Sequence, residues 1–78
     1  MNLYLLTQTV NNTYDTYDSC VVAAVTEREA VLVPPSTSKW FSVEYEWARP
    51  DDITVRLVGL AADGINAGDV ICASFNAG

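Results

Sequence analysis

The stretch Asn11-Asn12-Thr13-Tyr14-Asp15-Thr16-Tyr17-Asp18-Ser19-Cys20-Val21-Val22-Ala23-Ala24-Val25 changes character in its middle. Its first part is polar, aromatic and acidic, and its last six residues are apolar. The apolar part shows no alternation that would mark a wet face. It therefore predicts a strand over about Ser19–Val25 that lies in the interior of a sheet and is apolar on both faces. The polar part predicts a loop, Thr9–Asp18, longer than a hairpin needs, and long ordered loops in small domains tend to carry function. Within it a tandem Tyr-Asp-Thr, Tyr-Asp-Ser sets Tyr14 and Tyr17, and likewise Asp15 and Asp18, three residues apart. A candidate functional surface thus abuts a candidate central strand.

Working outward, Leu3–Gln8 is short and mostly apolar and runs toward the polar Asn11-Asn12, so it predicts a first strand ending in a loop, with Leu3 and Leu5 toward the core and Tyr4 and Leu6 on the other face. Downstream, Thr26-Glu27-Arg28-Glu29 has the form of a capping box, in which the Thr26 hydroxyl accepts from the Glu29 amide. The helix it opens, Glu27–Val33, meets Pro34-Pro35, which cannot continue it. So short a helix must be held by packing Ala30, Val31 and Val33 on the sheet. Pro34–Lys39 reads as a linker. Trp40–Trp47 alternates, with Phe41, Val43, Tyr45 and Trp47 on one side and Ser42, Glu44 and Glu46 on the other, which predicts a half-buried third strand.

Arg49-Pro50-Asp51-Asp52 carries turn chemistry. Ile53–Gly59 predicts a fourth strand with Ile53, Val55 and Leu57 inward, and Val70–Phe75 a last one after the turn-rich Ala61–Asp69. The expected architecture is a single α+β domain over residues 1–78. Its antiparallel sheet has four to five strands, with one short helix after strand two, in the order β-β-α-β-β-β.

Composition narrows the function classes. At 78 residues the chain is small enough that dimerisation or an unusually well-packed sheet would help its core. Ten acidic residues against Arg28, Lys39, Arg49 and Arg56 give a net charge of −6. That disfavours direct contact with nucleic-acid phosphates or an anionic membrane and favours a basic protein partner. Equally, it keeps a small protein soluble. The opening residues have no signal-peptide form and no apolar run approaches a membrane span, so a soluble protein working where it is made is expected. Cys20 and Cys72 each sit in an apolar run and match no zinc or redox spacing, which predicts buried free thiols.

No histidine is present, the single lysine lies in a linker and no glycine-rich loop follows a strand, so neither an enzyme nor a cofactor is expected. Asp15, Asp18, Asp51 and Asp52 lack an EF-hand pattern and read as solvated carboxylates with no metal. Tyr14 and Tyr17 read as interface residues, since tyrosine is enriched at binding hot spots.

The stretches Leu3-Tyr4-Leu5-Leu6-Thr7-Gln8, Tyr14-Asp15-Thr16-Tyr17-Asp18-Ser19 with Val21-Val22-Ala23-Ala24, Val55-Arg56-Leu57-Val58-Gly59 and Ala73-Ser74-Phe75-Asn76-Ala77-Gly78 together resemble a family of small bacteriophage and prophage proteins. By size, charge and source such proteins are similar to anti-CRISPR and other anti-defence proteins. That resemblance implies an inhibitor acting in the host bacterial cytoplasm on the nucleic-acid-binding surface of a Cas effector subunit. Its candidate contacts are Tyr14, Asp15, Tyr17, Asp18, Glu44, Glu46, Asp51 and Asp52. The competing expectation is a non-enzymatic structural or accessory phage protein, a homodimer or larger homo-oligomer joined through a sheet edge.

Overall fold

The strands expected before and after the polar loop both form. In a computed structural model that describes residues 1–77, strand β1 (Asn2–Thr7) pairs antiparallel with β2 (Thr16–Ala24), Leu6 opposite Cys20 and Tyr4 opposite Val22. Strand β3 (Thr54–Leu60) adds to the free side of β1 and β4 (Val70–Asn76) to the free side of β2, both antiparallel. The sheet order is β3-β1-β2-β4, with β2 interior as its unbroken apolar run predicts. Between β2 and β3 lie two one-turn helices, α1 (Glu27–Ala30) and α2 (Val43–Glu46), and a 3-10 turn at Pro50–Asp52. The domain is α+β, with four strands and the order β-β-α-α-β-β.

Because β2 and β3 run in the same direction with β1 between them, the chain from Val25 to Ile53 must return along the sheet, and it does so over one face. That face becomes the core: Tyr4, Leu6, Cys20, Val22 and Ala24 from the sheet meet Ala30 of α1 and Trp47, with Val33, Phe41, Ile53, Val55 and Val70 packed around them. Trp47 is 2% exposed and is the largest buried side chain. Four of the nine buried apolar residues are alanines, so the core is thin for its area.

Several expectations are corrected here. Trp40–Trp47 forms no strand. Val43 and Trp47 are also one helical turn apart, so the same residues satisfy both periods. Capping then decides: the Tyr45 amide donates to the Ser42 hydroxyl at 3.3 Å, and the Glu46 carboxylate accepts from the Ser42 amide at 2.9 Å. Glu44 and Glu46 are therefore on a helix, and Val43 and Tyr45 are exposed while Trp47 keeps its expected burial. On β1 the faces are reversed: Tyr4 and Leu6 are buried and Leu3 and Leu5 only half-buried. Leu-Tyr-Leu-Leu is apolar at both parities, so only the covering layer could choose between them. Leu57, expected inward, is exposed on the edge strand β3. The first helix opens on Thr26, whose hydroxyl accepts from the Glu29 amide at 3.2 Å, but it ends at Ala30 rather than Val33. Cys20 is a buried free thiol, whereas Cys72 is free but exposed.

Candidate functional site

Antiparallel pairing brings the end of β1, the starts of β2 and β3 and the end of β4 to one end of the sheet. This end carries the Gln8–Asp15 connection and the 3-10 turn. Its polar framework starts at Gln8, which continues the inward parity of Tyr4 and Leu6 and is buried. Gln8 Nε2 donates to the carbonyls of Asn11 (2.7 Å) and Tyr17 (2.6 Å), and Gln8 Oε1 accepts from the Asn11 amide at 2.8 Å. A buried amide side chain is stable only when so satisfied. Asn11, fixed in this way, sends its Nδ2 to the carbonyls of Glu44 (2.8 Å) and Trp47 (2.5 Å). The loop after β1 thereby clamps α2 onto the sheet end.

The loop closes on β4 by a second set of bonds. The Asn76 Nδ2 and the buried Thr16 hydroxyl both donate to the Thr13 carbonyl, at 2.9 and 2.7 Å, and the Asp15 amide donates to the Asn76 carbonyl at 2.6 Å. Asp15 takes a left-handed backbone with φ +61°, which Asp tolerates better than most residues. The two tyrosines of the tandem then part company. Tyr14 is 73% exposed. Tyr17 is half-buried, its ring packed against Phe75 (ring centroids 4.8 Å apart) and Phe41 (5.9 Å, edge-on).

Six of the ten carboxylates, Asp15, Asp18, Glu44, Glu46, Asp51 and Asp52, belong to this end, arranged as two groups. Asp15 and Asp18 lie beside β4, where Asp18 is skipped in the β2–β4 pairing and is exposed. Asp51 and Asp52 lie just before β3, two strand positions from β2, or about 10 Å across the sheet. Glu44 is exposed on the same side as Asp52, where both line a groove of about 250 Å³ with Val10, Asn11 and Arg49. Arg49 pairs with Glu44 at 2.9 Å, and Glu46 is engaged in capping α2. The candidate residues are thus brought to one end, but Glu44 and Glu46 are partly committed to local structure and Tyr17 to packing.

Reading the sequence missed Gln8, Asn11, Thr16 and Asn76, which build the loop. Gln8 had a signal, since it falls on the parity of Tyr4 and Leu6; the others look like ordinary loop and strand-end residues. A second groove of about 170 Å³ adjoins the first through Val43 and Ala48 and is lined mainly by Val31, Val33, Pro34 and Trp47. Among the described residues no group of His, Cys, Asp and Glu is placed to hold a metal ion, and no helix is long and apolar enough to cross a membrane. No protein-family model matches the chain, and neither a curated protein nor a solved structure matches it.

Proposed function

We propose that the protein is a phage-encoded, non-enzymatic inhibitor of a bacterial defence complex, acting in the host cytoplasm. Its acidic sheet end occupies a basic, nucleic-acid-binding surface of a Cas effector subunit. The observation that carries this reading is the gathering of Asp15, Asp18, Asp51 and Asp52, with Glu44, at one end of the sheet, where Gln8 and Asn11 tie the loop after β1 to β2 and α2. Carboxylates spaced over a firm frame present negative charge to a basic channel without an ordering cost at the moment of binding. Tyr14, exposed beside them, supplies an amphipathic contact. The phage origin and the type of target rest on the sequence resemblance.

The deciding experiment expresses the protein in hosts with active CRISPR systems and measures phage survival, with binding to the purified effector followed in parallel. Asp15→Lys, Asp18→Lys, Asp51→Lys and Asp52→Lys combined should abolish protection and slow association, while added salt weakens binding of the unaltered protein. No gain in survival against any CRISPR type tested, with no effector bound, removes the reading.

A further inference from the structure

We propose that β4 is a homodimer interface, pairing antiparallel with β4 of a second copy to extend the sheet to eight strands. This stands apart from the acidic-end reading and uses a different surface. Among the strands and helices β4 contacts only β2, and apart from this Val70 reaches the core and Asn76 bonds the Thr13–Asp15 loop. None of its residues is buried, and Ile71 and Phe75 are 43% and 45% exposed. The free backbone edge of such a strand is a template for another strand.

Natural edges are usually blunted by Lys, Pro or an inward charge, and Val70–Asn76 contains no charged residue and no proline. The other edge, β3, carries Arg56. Nine of the ten acidic residues lie outside the strands, so any approach of two copies through the helical layer or a sheet end sets carboxylate against carboxylate. Approach along β4 sets the uncharged strand itself at the contact and keeps Asp15 and Asp18 about one strand spacing back from it. A two-fold pairing is also self-complementary in its backbone donors and acceptors, and it sends the two acidic ends to opposite ends of the joined sheet.

The regular run Cys72–Asn76 is the part of β4 available for pairing, since Ile71 is skipped in the pairing with β2.

The test is sedimentation and light scattering of the whole chain over a wide concentration range, under reducing conditions so that no Cys72 disulfide contributes. The expected species is a reversible dimer of twice the 8.5 kDa chain mass. Added salt should strengthen it by screening like charges, the opposite of its effect on a basic partner. Ala73→Lys and Ser74→Lys should each weaken it about tenfold or more, with unchanged circular dichroism, whereas Leu60→Lys on β3 should leave it intact. Should Ala73→Lys fail to fold, Ser74→Lys and the hydrogen-exchange protection of the Cys72–Asn76 amides with rising concentration carry the test. A chain that stays monomeric, a dimer sensitive to Leu60→Lys and not to the β4 changes, or growth into open head-to-tail assemblies would overturn the proposal.

Discussion

Cys20-Val21-Val22-Ala23-Ala24 in β2 and Val70-Ile71-Cys72-Ala73 in β4 are alike in composition, each with one cysteine among valine, isoleucine and alanine. Four of the five residues in the first are buried and none of the four in the second. Residue type does not explain the difference. Strand β2 has a partner on each side and Trp47, Ala30 and the helical layer over one face, while β4 has β2 alone. Burial in this fold is a property of position under the return segment, and the contrast between the two strands can be tested directly.

The largest expected effect is on thiol chemistry. In the native state Cys72 should be alkylated at least about 100-fold faster than Cys20, as followed by mass spectrometry of the labelled peptides. Equal rates would show that β2 is not sealed. Burial, and secondarily the nearby Cys72, pushes the Cys20 thiol up to about 12 from 9.0. Its folded value lies above its unfolded one, so the stability it contributes is present below pH 9 and lost as the pH rises toward 12. The urea midpoint should fall across that window, and Cys20→Ala should flatten the fall.

Next in size is the cover over β2. Trp47→Ala should cost about 3–5 kcal/mol in urea unfolding, much of the roughly 4–12 kcal/mol available to a chain of this length. A loss below about 1 kcal/mol would mean that the helical layer adds little. Gln8→Leu fills the same space but strips the Asn11 amide and the Asn11 and Tyr17 carbonyls of their partner. It should cost about 2–3 kcal/mol and release the Gln8–Asp15 loop, visible as faster amide exchange at Asn11. Smallest of all, Ile71→Ser in β4 should change the stability of the dilute monomer by no more than about 0.5 kcal/mol. A larger loss would place β4 under cover and erase the contrast with β2.

What could be read in the chain beforehand follows the same division. The bounds of β3 and β4 were legible within a few residues because apolar runs preceded by Pro-Asp-Asp and Gly-Asp leave little choice, whereas β2 begins at Thr16, three residues before the expected Ser19, inside the expected loop. Thr26 announced α1, and Pro34-Pro35 set a limit that the helix stops short of. Trp40–Trp47 misled because apolar residues at 41, 43, 45 and 47 fit a strand while 43 and 47 fit a helix turn, and only the Ser42 cap breaks the tie. At the candidate site the carboxylates were legible as residues. Their grouping was not, because Asp15 and Asp52 lie 37 positions apart in the chain and reach the same end of the sheet only through the strand order.

By itself the sequence determined the α+β class, the interior place of β2, the cap at Thr26 and the surplus of negative charge, because each depends on neighbours along the chain. The tertiary structure alone decided which face of Leu3–Leu6 is inside, that Gln8 and Asn11 clamp α2, and that Cys20 is sealed while Cys72 is open. Those outcomes depend on which segment crosses over which strand. An apolar side chain records that it favours burial, and only the path of Val25–Ile53 across one face of the sheet determines which of many such side chains obtain it.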